Sequence, residues 1–292
     1  MSEINTNLNS ESILEDWDLI IRPQRGWFDL RLDELFRYRD LVLLFVRRDF
    51  VAAYKQTILG PIWYLIQPLL TTITFTVIFG NIAQLPTDEL PPFLFYMSGT
   101  VIWSYFAESL TKTSNTFVQN SNLFGKVYFP RLAVPISILM SNFITFFIQF
   151  VFFLLFVAYF ALIGAPVAPN WWILSFPLLI LMMAGLALGL GILISALTTK
   201  YRDLRFLVQF GVSLLMYATP VIYPVSSIPQ EWQWVILINP MTSIVETFRY
   251  AFLGAGTVSL PQLAYSFGSM VVIVLLGAIV FNKVEATFMD TV

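Results

Sequence analysis

Glu246 and Arg249 are the residues whose types and spacing most directly suggest chemistry in this chain. They lie three apart in the apolar segment 241–253, where a helix would place their charges on one face as an ion pair. The 292 residues contain neither His nor Cys, so imidazole and thiolate metal sites and Ser-His-Asp or Cys-His catalysis are excluded within this chain. The pair therefore indicates a gate or a local structural contact, and we expect no catalytic residue, metal site or cofactor.

The elements that would position this pair belong to a membrane protein. Only 12% of the residues are charged and 58% are apolar, whereas soluble domains carry roughly a quarter charged residues. More than half of the 16 basic and 18 acidic residues lie within the first 55 positions, so the rest of the chain is almost neutral. The net charge of -2 argues against a nucleic-acid partner.

Long uncharged stretches follow this charged leader, and about 20 apolar residues suffice for a helix to cross the hydrocarbon core. The stretch 132–199 is long enough for two crossings, with a turn at residues 164–170. We therefore predict an all-α, polytopic membrane protein with a transmembrane region over 57–285. Its six transmembrane helices are expected near 58–80, 93–110, 134–163, 171–197, 206–223 and 263–282.

The distribution of basic residues predicts the orientation. Fifteen of the 16 lie on one side of the six-span arrangement, and Arg249 alone lies on the other. Because cytoplasmic loops carry the excess of Lys and Arg, we expect both termini in the cytoplasm. Residues 1–18 lack the apolar core of a signal peptide, so residues 1–29 are interpreted as a polar cytoplasmic extension and 286–292 as a cytoplasmic tail.

Residues 30–56 alternate apolar positions at helical spacing with arginines and contain no run long enough to span. This pattern predicts an amphipathic helix in the headgroup layer, with its basic residues facing lipid phosphates. A small soluble helix packed on a partner is the alternative. The residues singled out in this interfacial helix are Arg47, Arg48, Asp49, Tyr54 and Lys55.

The loop after the second predicted span contains a second short helix. Ser114 or Asn115 could cap it, and it would present apolar side chains in a polar cytoplasmic loop, which suggests a protein docking site. A connector tucked under the bundle is the alternative. The candidate docking residues are Ser114, Asn115, Phe117, Val118, Asn122 and Leu123.

The segment between the fifth and sixth spans is rich in proline, and its helix near 241–253 is too short to cross a bilayer. Asn239-Pro240 predicts the start of this helix, and Gly254 predicts its end. We interpret the segment as a re-entrant extracytoplasmic element and an outer gate; a surface-lying loop helix with a local ion pair is the alternative. The gate residues are Pro220, Pro224, Asn239, Pro240, Glu246 and Arg249.

Gln67, Asn142 and Gln149 are candidates to line a channel, because polar groups within spans usually face a bundle interior or a cavity. Trp63 and Tyr64 are also candidates, because aromatic rings offer apolar faces to sugars; residues of the aromatic belt at the membrane interface are the alternative. Gly185, Gly189 and Gly191 are predicted to form one small-residue face that lets a neighbouring helix approach closely.

The order of several motifs resembles the permease subunits of bacterial polysaccharide ABC exporters, which export O-antigen, capsule or teichoic acid. Arg47-Arg48-Asp49-Phe50 precedes the first predicted span, and Gly60-Pro61-Ile62-Trp63 and Gln67-Pro68 open it. Phe129-Pro130-Arg131, Tyr201-Arg202-Asp203 and Asn239-Pro240 follow in the expected order. The resemblance covers residues from about 41 to the C-terminus.

This resemblance implies a homodimer in the bacterial inner membrane that binds two copies of a separate ABC ATPase. ATP and Mg would belong to that ATPase, since the chain has no G-x-x-x-x-G-K-[ST] loop. The loop at 114–122 would be the coupling helix, and the cargo would be a lipid-linked glycan that moves from the cytoplasmic to the outer leaflet. The alternatives are an ABC permease for a drug or small lipid, or a membrane-embedded glycosyltransferase.

Overall fold

The computed structural model describes residues 32–55, 57–124, 126–127, 129–201 and 203–287. The predicted extension 1–29 and the tail from residue 288 onward lie outside the described residues. The described part consists of helices joined by turns and irregular loops, and it contains no strand. Its α-helices are α1 (Leu32–Arg37), α2 (Arg39–Tyr54), α3 (Trp63–Phe75), α4 (Pro92–Ser114), α5 (Thr116–Gln119), α6 (Ser121–Phe124), α7 (Ala133–Leu162), α8 (Phe176–Lys200), α9 (Leu204–Tyr217), α10 (Gln230–Leu237), α11 (Pro240–Leu253) and α12 (Leu260–Thr287).

Four helical segments among the described residues are long and apolar enough to cross a membrane. They are Gly60–Ile82, Ala133–Leu162, Trp171–Thr198 and Leu260–Val284, and they match four of the six predicted spans. The first combines a 3-10 turn, α3 and a π-helical segment over Thr76–Ile82. The structure is therefore that of an all-helical, multi-pass membrane protein.

The other two predicted spans are helices of a different character. The span expected at 93–110 is α4, which carries Ser, Thr, Glu and Lys but lies at the centre of the bundle with 16 of its 23 residues buried. The span expected at 206–223 ends early, because α9 has only 14 residues and stops at Tyr217. Pro220 accounts for this early end, since proline lacks a backbone N–H and disfavours helical geometry in the residue before it.

The most extensive helix packing joins α8 to α12 and α4 to α8. A Cβ on Gly189 would lie 2.7 Å from the backbone nitrogen of Val274, and a Cβ on Gly185 would lie 2.6 Å from Met270, so both glycines face α12. Gly191 instead faces α4, where a Cβ would meet Thr113 at 2.6 Å. The predicted close approach is confirmed, but the prediction of one shared face is wrong, since the three glycines serve two crossings.

The segment predicted as one amphipathic helix over 30–56 contains two helices, α1 and α2, that meet at Tyr38. Val42, Phe45 and Val46 are buried, and Val42 and Phe45 belong to an apolar cluster with the start of α7, against which α2 packs. Arg47 and Lys55 are exposed, and the Arg48 guanidinium binds Asp49 at 2.8 Å. The side chain of Tyr54 lies outside the described set. We call this end of the bundle the α2 end and the opposite end the α11 end.

Candidate functional site

The α11 end is organised around the start of α11, as the Asn239-Pro240 motif predicts. The Asn239 side chain caps the helix, accepting a hydrogen bond from the Met241 N–H at 3.0 Å, and Pro240 occupies the first turn, where no N–H is needed. The Asn239 amide also donates to the carbonyl of Ala218 at 3.1 Å and to Thr219 Oγ1 at 2.7 Å. One side chain therefore fixes α11 to the turn that follows α9.

Replacing Asn239 with Ala removes all three of these bonds. Loss of an N-cap costs roughly 0.5–2 kcal/mol, so we expect a lower thermal unfolding midpoint for the purified protein in detergent. Asn239→Asp keeps the acceptor for the Met241 N–H but loses both donors. Its unfolding midpoint should therefore lie between those of the Ala variant and the wild type. An Ala variant as stable as wild type would show that the cap contributes nothing.

The rest of α11 is almost entirely enclosed, with 12 of its 14 residues buried. Phe248 and Phe252 pack against Phe150, Phe153 and Phe176 of α7 and α8, with ring centroids 5.3–6.2 Å apart. The alternative of a surface-lying helix is therefore wrong. Sequence spacing could not decide this point, because the enclosing residues come from distant helices.

Within α11, Glu246 and Arg249 form the predicted ion pair in a fully buried position. Arg249 Nη1 lies 3.1 Å from Glu246 Oε1, and the two side chains are 0% and 3% exposed. Buried charges are costly unless every donor and acceptor is used. The contacts of this pair with other segments show how that cost is offset.

Arg249 reaches two other segments with its remaining donors. Nη2 donates to the Pro220 carbonyl at 3.0 Å, and Nε lies 3.4 Å from Ser98 Oγ on α4. The guanidinium also lies over the ring of Phe95 at 3.8 Å from its centroid, a cation–π contact. The arginine thus joins α11, α4 and the turn after α9.

Glu246 extends the same network to the segment before α12. Its second oxygen, Oε2, accepts from the Thr257 N–H at 3.0 Å. The turn between them begins at Gly254, whose φ of +83° ends α11, so the predicted stop is confirmed. Pro224, the remaining predicted gate residue, is buried and precedes a short 3-10 turn.

Sequence reasoning missed the contribution of the loop before α8, which it treated only as a turn. Ala168 N–H donates to the Leu253 carbonyl and Asn170 N–H to the Ala251 carbonyl, both at 3.0 Å. The Asn170 side chain also donates to the Tyr250 carbonyl at 2.8 Å. This loop therefore satisfies the last carbonyls of α11, which a helix end leaves unpaired. The turn predicted at residues 164–170 and the helix end predicted at Gly254 are both local signals, so they did not indicate that these two segments would meet.

At the α2 end, the predicted docking loop contains α5 and α6, and it is more buried than expected. Phe117 is fully buried and stacks on Phe281 of α12 at 4.7 Å, so the expectation that it faces outward is wrong. Ser114 is also buried, as part of α4. Asn115 does not cap through its side chain but donates to the Thr111 carbonyl at 2.8 Å. Val118 and Leu123 remain half-buried, and the side chain of Asn122 lies outside the described set.

The predicted channel-lining residues occupy two different environments. Asn142 and Gln149 are buried, and each bridges two helices: Asn142 bonds Lys112 and Ser109 of α4, and Gln149 bonds the Tyr64 carbonyl of α3. Trp63 and Gln67 are exposed on the outer face of α3, where they border a shallow groove of about 450 Å³. This second environment is a surface groove, whereas Asn142 and Gln149 join neighbouring helices.

Residues 40–253, almost three quarters of the sequence, match the family model for ABC-2 type transporters. This chain belongs to the ABC-2 type transporter family. The match begins at α2 and ends with the last residue of α11, so it includes both ends described above.

Two kinds of curated relatives of this ABC-2 transporter chain are informative. An O-antigen export system permease protein of Klebsiella pneumoniae is 26% identical over 86% of this chain and 94% of its own length. A protein of the same name from Myxococcus xanthus is 27% identical over 75% and 82%. An inner membrane transport permease of Escherichia coli, YadH, is 23% identical over 72% and 82%.

Family membership fits the chemistry of the described residues. They hold no cluster of three or more His, Cys, Asp or Glu side chains placed to bind a metal ion. The ABC-2 transporter chain instead offers a buried ion pair, an exposed groove on α3 and a loop of short helices.

Proposed function

We propose that this chain is the membrane subunit of an ATP-driven exporter that carries a lipid-linked polysaccharide from the cytoplasmic to the outer leaflet of a bacterial inner membrane. The observation that carries the proposal is the similarity to O-antigen export permeases over 86% of this chain and 94% of the relative. The similarity to the general transport permease YadH is lower in identity and covers less of this chain.

The proposed assembly has two copies of this chain and two copies of an ABC ATPase that holds ATP and Mg. Two apolar faces support a second copy. The segment Gly60–Ile82 has only 6% of its apolar window buried, and α9 exposes a row of large apolar residues. That row consists of Phe206, Leu207, Phe210, Leu214 and Tyr217.

We place six spans in the membrane, counting α4 and α9 with the four apolar segments, and both termini in the cytoplasm. An all-protein environment tolerates the polar residues of α4, since only lipid-facing positions must be apolar. The segment from α10 to α11 is then a re-entrant element on the outer side. Its second helix, α11, is enclosed in protein, where interrupted backbone is tolerated at membrane depth, whereas α10 lies at the surface. The α2 end is cytoplasmic in this arrangement.

The loop of α5 and α6 is the proposed contact for the ATPase. Its base is fixed by Phe117, while Thr198 Oγ1 of α8 donates to the Ser114 carbonyl at 3.1 Å. A displacement of this loop by the ATPase would therefore act directly on α8 and α12, which these contacts join to it. Val118 and Leu123, which are half-buried, are better positions for a contact than the enclosed Phe117.

Deletion of the gene tests the proposed cargo. We expect the deletion strain to lose surface polysaccharide and to accumulate lipid-linked glycan on the cytoplasmic side, because synthesis continues while export stops. Extraction of glycolipid and surface labelling measure both, and the full-length chain supplied in trans should restore export. Normal surface glycan in the deletion strain would overturn the polysaccharide proposal and favour a drug or small-lipid cargo.

A further inference from the structure

A cavity of about 490 Å³ lies at the α2 end, between α2, the start of α3, the end of α4 and the first half of α7. This volume falls within the range of roughly 300–1,000 Å³ that small-ligand sites occupy. The cavity is open on one side. Its lining residues include Arg48, Asp49, Tyr64, Lys112, Asn120 and Asn142.

Two cations line this cavity, and both retain unused donors. Lys112 Nζ donates to Asn142 Oδ1 at 2.8 Å and to Glu108 Oε2 at 3.1 Å, which engages two of the three protons of an ammonium group. Arg48 binds Asp49 through Nε and Nη2, which leaves its Nη1 donors. An anionic group in the cavity could therefore receive charge-assisted hydrogen bonds from two helices at once.

The other lining groups are not those of a simple anion site. Asp49 is a carboxylate, and Gln119 and Asn120 supply amides from the end of α5 and the residue after it. The rings of Phe50 and Tyr64 are stacked at 6.2 Å with an interplanar angle of 23°. Carboxylate and amide oxygens accept hydrogen bonds from hydroxyl groups, and aromatic rings offer apolar faces. Together these groups suit a polyhydroxylated ring.

We propose that this cavity binds the sugar–phosphate junction of the lipid-linked glycan. Lys112 and Arg48 bind the phosphate, and Asp49 and Asn120 bind hydroxyl groups of the first sugar. The open side leaves the lipid tail outside the cavity. This inference rests on the proposed function. It adds a recognition site within one subunit, next to the loop of α5 and α6.

Binding to the full chain in lipid nanodiscs tests the site with three probes. The first is a short-chain prenyl diphosphate that carries N-acetylglucosamine, the second is the same prenyl diphosphate without sugar, and the third is phosphatidylglycerol. We expect the first probe to bind most tightly. Lys112→Gln and Arg48→Gln should each weaken it about tenfold or more, since each removes a charged hydrogen bond.

Arg47→Gln is the matched control, because Arg47 is exposed beside Arg48 and does not line the cavity. It should bind the first probe as wild type does. Asp49→Asn should reduce the preference for the sugar-bearing probe over the sugar-free one, because it exchanges one of the two acceptor oxygens for an amide donor and removes the charge that binds Arg48.

Three results would overturn the inference. If the two diphosphates bind equally tightly, the cavity does not recognise the sugar. If phosphatidylglycerol binds as tightly as the first probe, the cavity is an ordinary phospholipid site. Equal losses in Arg48→Gln and Arg47→Gln would show a general surface-charge effect. If the cavity variants bind normally while the wild-type chain still restores surface glycan to the deletion strain, the inference fails and the proposed function stands.

Discussion

Arg249→Ala is expected to lower the free energy of unfolding by about 3–5 kcal/mol, the cost of leaving one partner of a buried ion pair alone. The variant leaves the Glu246 carboxylate 3% exposed without its cation, and it leaves the Pro220 carbonyl without its donor. The amount of monodisperse protein in detergent and its thermal unfolding midpoint measure the loss. We therefore expect any fall in export by this variant to follow from the smaller amount of folded protein.

Arg47→Ala is the matched control for this prediction, because the same side chain is removed from an exposed position on α2. It should change stability by no more than about 0.5 kcal/mol. The double variant Glu246→Gln with Arg249→Met removes both charges and should recover part of the loss. If Arg249→Ala folds as well as Arg47→Ala, the network around α11 does not stabilise the protein.

Gly277→Ala is expected to destabilise the crossing of α8 and α12 by about 1–3 kcal/mol, as overpacking usually does. The added Cβ would lie 2.5 Å from the Gly189 carbonyl oxygen and 2.8 Å from Ile192 Cγ1. Because the nearest atom belongs to the backbone of α8, no side-chain rotation relieves the contact and the helices must separate. Thermal unfolding in detergent measures the effect.

Gly268→Ala provides the comparison within the same helix. No atom lies within 4 Å of a Cβ at this position, and Ala favours helix over Gly by roughly 0.8–1 kcal/mol. We therefore expect no loss and a small gain in the unfolding midpoint. Equal midpoints for the two alanine variants would mean that close approach at residue 277 is not required.

Local signals in the sequence predicted local structure well. Asn239-Pro240 and Gly254 marked the two ends of α11 to within a residue, because a cap, a proline and a left-handed glycine act through neighbouring backbone groups. The spacing of Glu246 and Arg249 predicted their ion pair for the same reason. Burial of the pair was not predictable, since Ser98, Phe95 and Pro220 come from segments far away in the chain.

Side-chain direction was the main source of error. Phe117 was expected on the surface because its loop is polar, yet tertiary packing places it against Phe281. Asn142 and Gln149 were candidates for a channel because polar groups avoid lipid, and this stays a prediction: both bond neighbouring helices, and Asn142 also lines the cavity at the α2 end. The sequence pattern identifies a residue that cannot face lipid; it does not distinguish a water-filled space from a hydrogen-bonded helix contact.

The uneven burial of the spans has a consequence for motion. The glycine crossings and the Glu246–Arg249 network bind α4, α8, α11 and α12 into one block, whereas the first span contacts the rest of the chain mainly through α4 and α7. Segments with few buried contacts shift at low free-energy cost. A displacement of the first span would therefore leave this block of four helices intact and would cost less free energy than a displacement within the block.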